Sequence, residues 1–120
     1  MASNPIDGFQ VDPTDIQFIG KDLQRPECIL AKRSGDLWAA DARGGVVKIT
    51  PDGRQDIITQ HFGETFSRAQ NATTQYIEGT LPNGLAFAKN GNIYISNFGT
   101  DVLEVMEPSG KTTVLYDEID

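Results

Sequence analysis

A carboxylate at Glu27 and a carboxamide at Asn83 each follow a proline, Pro26 and Pro82, and stand 56 residues apart. Carboxylate and amide oxygens with water are the donors that a hard cation such as Ca²⁺ or Mg²⁺ prefers, whereas thiolate and imidazole donors would point to zinc. Two ligands do not complete a site. Each residue also has an ordinary reading, Asn83-Gly84 as the turn into a strand and Glu27 as a solvated carboxylate. Arg68 carries a guanidinium fork suited to carboxylate or sugar-acid oxygens, so Arg68 is a candidate for binding substrate. His61 is the single histidine, and a lone surface histidine is more often inert than catalytic. Ser34, Ser67, Ser96 and Ser109 have only that histidine among them and no nucleophile-elbow motif, which removes a serine-hydrolase reading.

Register is what singles out Glu27 and Asn83. The residues from Pro26 to Ile49 recur as Pro82 to Val105: Ser34-Gly35-Asp36 faces Asn90-Gly91-Asn92, Leu37-Trp38 faces Ile93-Tyr94, Asp41 faces Asn97, and Val46-Val47-Lys48-Ile49 faces Val102-Leu103-Glu104-Val105. A one-residue insertion then keeps Pro51-Asp52-Gly53 in step with Pro108-Ser109-Gly110. Glycine-centred turns separate short runs of Ile, Leu, Val, Trp and Tyr, the signature of consecutive β-hairpins. The spacing predicts strands near 28–32, 37–41, 46–50 and 55–59, then 84–88, 93–97, 102–106 and 112–116, with an extra strand at 16–19 and a weak helical pattern inside 61–72.

A four-stranded meander repeated at this interval fits a β-propeller blade better than a sandwich, whose strands cross between sheets. The expected fold is therefore all-β: a single partial propeller domain over 1–120, with blade one at about 26–60, an insertion loop at 61–75 and blade two at about 82–116. A propeller closes with about four to eight blades, so two blades are either a piece of one or a unit that assembles, three copies giving about six. The innermost strand of each blade lines the central channel, which aims Glu27 and Asn83 at one axis and puts the insertion, with His61 and Arg68, on the same face. Asp41 and Asn97, ending equivalent strands, should satisfy turn amides. Trp38 and Tyr94 should pack between blades, and Cys28 should be a small buried residue.

Composition narrows the partners. The chain has 120 residues, 10 Lys and Arg against 17 Asp and Glu, and a net charge of −7, which argues against nucleic acid, whose partners draw on a basic face. No run approaches the roughly 18 apolar residues of a membrane span. One cysteine forms no internal disulfide, and the N-terminus lacks a basic segment followed by an apolar run, so the expected compartment is the cytoplasm. The Asn71-Ala72-Thr73 sequon then reads as chance.

Pro26-Glu27-Cys28 followed by Gly35-Asp36-Leu37-Trp38-Ala39-Ala40-Asp41, and Leu81-Pro82-Asn83-Gly84-Leu85-Ala86-Phe87 followed by Gly91-Asn92-Ile93-Tyr94-Ile95-Ser96-Asn97, resemble the senescence marker protein/gluconolactonase/luciferin-regenerating-enzyme family of six-bladed propellers. The resemblance covers most of 16–116. It implies a divalent metal (calcium, magnesium or zinc) at the channel mouth and hydrolysis of a sugar lactone, with a lactone or sugar acid as the small-molecule partner. Glu27 matches that family's first-blade glutamate; Asn83 matches its inner-strand Asn-Gly, as a metal ligand or a substrate-side residue. The family's aspartate from a further blade has no counterpart here. The metal would polarise the lactone carbonyl as a Lewis acid while a carboxylate acted as general base. NHL-type and strictosidine-synthase-like propellers share the strand pattern without lactonase activity, so a non-enzymatic ligand- or protein-binding module is the alternative.

Overall fold

Runs of alternating apolar residues cut by glycine turns fold into eight strands: β1 Leu30–Ala31, β2 Leu37–Asp41, β3 Gly45–Ile49, β4 Gln55–Thr59, β5 Pro82–Phe87, β6 Ile93–Asn97, β7 Val102–Met106 and β8 Thr112–Tyr116. The computed structural model describes residues 4–60 and 81–117. The strands form two antiparallel sheets in simple sequential order, β1 to β4 and β5 to β8. Among the described residues the only helical element is a 3₁₀ turn at Pro13–Asp15, capped by Asp12, whose side chain accepts from the Thr14 N–H. The all-β fold with two four-stranded meanders expected from the sequence is thus observed. The 61–72 helical pattern lies outside the described residues.

Two expectations about strands need correction. The segment 16–19 is not a strand. Gly20 and Asp22 both adopt positive φ, 94° and 51°, which bends the chain away from a strand path. The side-chain amide of Gln55, not a backbone ladder, meets the N–H and carbonyl of Lys21, at 2.7 and 2.9 Å. Ile16, Phe18 and Ile19 are left 53%, 94% and 61% exposed. The second correction concerns β1, which holds only Leu30–Ala31 rather than 28–32. Cys28 has φ 49°, a left-handed conformation that a non-glycine residue adopts at a cost and that interrupts the regular extended path of a strand.

The pairing also moves the insertion between the two repeats. Asp41 pairs with Gly45, but Asn97 pairs with Val102. The β2–β3 turn is Ala42-Arg43-Gly44, and the β6–β7 turn is Phe98-Gly99-Thr100-Asp101, so the extra residue sits in that turn. Val46 therefore corresponds to Leu103, Val47 to Glu104 and Ile49 to Met106, one step off the sequence alignment. The left-handed position held by Gly44 (φ 90°) falls to Asp101 (φ 55°) in the second turn.

The two sheets share one apolar core. Trp38, Ala40 and Val46 from the first meet Leu85, Ile93, Ile95 and Met106 from the second, with Leu30, Ile58 and Phe87 against them. Trp38 and Phe87 stand edge to face with centroids 5.8 Å apart, and the Lys32 ammonium lies 5.2 Å from the Trp38 ring and 4.6 Å from the Phe87 ring. Trp38 packs between sheets as expected. Tyr94 does not: it is 41% exposed, because it lies on the face of the second sheet turned away from the first. The opposite face of the first sheet, Ala39, Val47 and Ile49, packs with Leu37 and with Leu23 from the N-terminal segment.

Gly45 marks the tightest approach of β3 to β4. A Cβ there would overlap the Ile58 carbonyl oxygen and stand 2.8 Å from Thr59 Cα. Gly45→Ala must push the strands apart, and we expect a loss of about 2 kcal/mol or more, read as a lower urea midpoint at unchanged slope.

Candidate functional site

Glu27 and Asn83 come together. Asn83 Nδ2 donates to Glu27 Oε2 at 2.6 Å, joining the equivalent positions of the two repeats directly. Different local devices deliver the two side chains. Asn83 is the extra residue of a β-bulge, since Pro82 pairs with Asn97 and Gly84 with Ser96; a bulge re-aims one side chain out of the ladder. Glu27 stays in line with β2 through its carbonyl, which accepts from Ala40 N at 2.9 Å. It is flanked by Arg25 and Cys28, both left-handed at φ 48° and 49°.

Arg25 completes this group, and sequence reasoning missed it. Its Nε donates to Glu27 Oε1 at 2.8 Å, and its guanidinium carbon sits 5.5 Å from the Phe98 ring centroid. The half-exposed carboxylate of Glu27 is thus held at both oxygens, one by a cation and one by an amide, with further lone pairs on each. With Nδ2 committed to Glu27, Oδ1 is the Asn83 atom left to coordinate or accept. The only hint of Arg25 in the sequence was a charge placed next to Pro26. Arg68 and His61 lie outside the described residues.

Cys28 is exposed rather than buried. Its left-handed backbone turns the thiol toward β5, where Sγ accepts from Leu85 N at 3.1 Å and lies 3.5 Å from Leu85 O. It pins the chain just before β1 to β5.

Asp41 and Asn97 cap turns as expected. Asp41 Oδ1 accepts from Arg43 N at 2.9 Å and Arg43 Nε at 2.7 Å, and Oδ2 from Arg43 Nη2 at 2.7 Å and Gln24 N at 3.2 Å. Burial pushes the Asp41 carboxyl up, but the hydrogen bonds and charge of Arg43 outweigh it and hold it below the ordinary aspartate value. Asn97 Oδ1 accepts from Leu81 N and Gly99 N, each at 3.0 Å. Its Nδ2 turns to Glu104, at 3.3 and 3.2 Å from the two carboxylate oxygens.

Glu104 is a second residue the sequence reading passed over. It is 1% exposed, and Gln60, at the end of the first sheet, donates to its Oε2 at 2.6 Å. Burial raises its carboxyl above the ordinary glutamate value, partly offset by hydrogen bonds from Gln60, Asn97 and Thr100. Strand parity could have found it: in Val-Leu-Glu-Val-Met it shares a face with Met106, opposite Ile95.

Neither the family models nor the curated proteins contain a match to this chain. Among the described residues no three His, Cys, Asp or Glu side chains gather as a metal-binding group, and no helix is long and apolar enough to cross a membrane.

Proposed function

We propose that the Glu27–Asn83 end of the two sheets is the ligand-binding end, that the sheets are blades of a propeller, and that the pair contributes two oxygen donors to a hard divalent cation. The observation that carries this reading is the 2.6 Å hydrogen bond from Asn83 Nδ2 to Glu27 Oε2. It fixes a carboxylate beside an amide whose remaining oxygen is the harder donor, and it joins the two inner strands on the side where a channel would open. The donor chemistry suits calcium or magnesium better than zinc. A cation of this kind takes about six to eight oxygens, so the other donors come from water, ligand or further protein groups.

In a completed propeller the reading extends to hydrolysis of a sugar lactone. A divalent ion bound there would supply Lewis-acid polarisation of the ester carbonyl. What this chain's residues do is narrower: Asn83 holds the carboxylate in place, Arg25 fixes its second oxygen, and Glu27 offers lone pairs to whatever binds. Substrate contact by Arg68 belongs to the same proposal.

Calcium or magnesium in excess should raise the unfolding temperature of the wild-type chain by several degrees, since a ligand at about a hundred times its Kd stabilises by about 2.7 kcal/mol. Glu27→Gln, which keeps the shape and the Asn83 contact, should abolish the shift. If no divalent ion moves the wild-type transition, the cation reading is lost. Arg25 favours a second reading, because its ion pair neutralises Glu27 and leaves a neutral Arg–Glu–Asn row. Such a row suits a polyhydroxy or sugar-acid ligand bound without metal by a non-enzymatic module; calorimetry with gluconate in chelator measures it directly.

A further inference from the structure

Two open sheets have four edge strands, and three of these four edges are blunted. An open edge offers unpaired N–H and C=O groups to any strand that approaches, and proteins close it off with short strands, charge, proline or bulges. β1 is only two residues long. β4 carries Asp56, with Arg54 3.9 Å from it, and its first residue, Gln55, is engaged by the Lys21 backbone. β5 begins with Pro82, which has no N–H, is bulged at Asn83, and gives its Leu85 N–H to Cys28 Sγ. β8 differs. Its residues are Thr-Thr-Val-Leu-Tyr, without a charge or a proline, and among the described residues no strand pairs with its outer side. Val114, Leu115 and Tyr116 are 43%, 47% and 61% exposed. The one irregularity is a bulge at Leu115, since Glu104 pairs with Val114 and Leu103 with Tyr116, which leaves Thr112 to Val114 regular.

The ladder fixes which backbone groups face outward. Glu107 N donates to Lys111 O at 2.8 Å, so Lys111 faces β7; by alternation Thr113 does the same, and Thr112 and Val114 turn their N–H and C=O to the open edge. We propose that β8 pairs antiparallel with β8 of a second copy, about a two-fold axis at Thr113. In that register Thr112 of each copy exchanges two hydrogen bonds with the partner's Val114, and the two Thr113 side chains face each other across the axis, a favourable cross-strand pair. The occupant is a second copy because the charges at the two ends of β8 complement each other. Antiparallel pairing sets Lys111, before one strand, near Asp117, after the other, and does so twice; a parallel pair would set like beside like. Lys111 has room to turn, being 71% exposed and only 3.8 Å from its present partner, Glu107. An isologous contact of this kind closes at two copies. β5, which holds Asn83, is the opposite edge of the sheet from β8, so the dimer leaves the Glu27–Asn83 end open and forms whether or not a cation binds there.

The test is sedimentation equilibrium, in chelator, of the 120-residue chain and of the variants Thr113→Lys and Thr113→Glu, with circular dichroism confirming that each folds. Thr113 is exposed, so neither change disturbs the core. The wild type should run as a dimer and nothing larger. Each variant alone sets two like charges opposite each other at the axis and should dissociate about tenfold more readily than wild type. Mixed in equal amounts, the two variants should recover the wild-type affinity as a one-to-one dimer, since Lys then faces Glu. A wild-type chain still monomeric at about 100 µM would overturn the proposal. So would a dimer that neither variant weakens, which would put the contact on another surface. Variants that stay apart when mixed would overturn it too, because no two-fold axis would then pass through Thr113.

Discussion

Asp41→Ala is expected to destabilise the chain by about 3 kcal/mol, a large part of the total of about 5–15 kcal/mol that holds a domain together. Asp41 is wholly buried, and its two oxygens take four hydrogen bonds: two from the Arg43 side chain, one from the Arg43 amide and one from the Gln24 amide. Alanine removes the acceptor for all of them, and an unpaired guanidinium and two amides are left behind. Arg43 is 28% exposed at its side chain, so water recovers part of its charge, which keeps the expected loss at the lower end for a broken buried pair. Asp41→Asn should also fail to rescue, with a loss of about 1–3 kcal/mol. All four partners are donors, and an amide Nδ2 would face them with a donor of its own. The acid limb carries a matching signature. A carboxyl held below its ordinary 3.8 contributes stability fully present above 3.8 and lost as pH falls through the depressed folded value. Urea midpoints of wild type and Asp41→Asn should therefore converge below pH 3.8.

The same turn shows what could and could not be read from the residues. Strand positions were legible because alternation and glycine turns are local: β2, β4, β6, β7 and β8 run where the pattern puts them. Asp41 and Asn97 as turn caps were legible too, since an Asx side chain at a strand end bonds forward within two residues. The failures are non-local. Gly44 and Asp101 occupy the same left-handed position, but only pairing across the sheet shows that Phe98-Gly99-Thr100-Asp101 absorbed the extra residue. Nothing in Ile16-Gln17-Phe18-Ile19 announces that Gly20 and Asp22 bend the chain after it, or that the Gln55 side chain takes the place of a ladder. Cys28 looked like a strand residue because its left-handed turn serves a contact with Leu85, 57 positions away. The site was half legible for the same reason. Repeat register brought Glu27 and Asn83 to one place, yet the bulge that aims Asn83 and the backbone turn that brings Arg25 onto Glu27 depend on partners that the repeat does not encode.

Glu104 sets the other large effect, and there the sign with pH is opposite to that of Asp41. Burial raises its folded-state value above the ordinary 4.5, so between 4.5 and that raised value the folded chain binds the proton more tightly than the unfolded chain. Stability should fall as pH rises through this window, reaching its full penalty above it. Glu104→Gln removes the buried charge, and its new amide donor has an acceptor at hand, since Gln60 Oε1 is buried with no hydrogen-bond partner among the described residues. It should therefore be more stable than wild type at pH 7, with that advantage shrinking toward pH 4.5. Glu104→Leu should do the reverse: it strands Gln60 Nε2 and Asn97 Nδ2 as buried donors and is expected to lose about 3 kcal/mol. Because Gln60 lies on one sheet and Glu104 on the other, the coupling between them reports on the joint itself. A double-mutant cycle of Gln60→Ala with Glu104→Leu should return about 1–3 kcal/mol of interaction energy at pH 7. Additive losses would mean that the carboxylate acts only within its own sheet, through Asn97, and adds nothing to the joint between the two sheets.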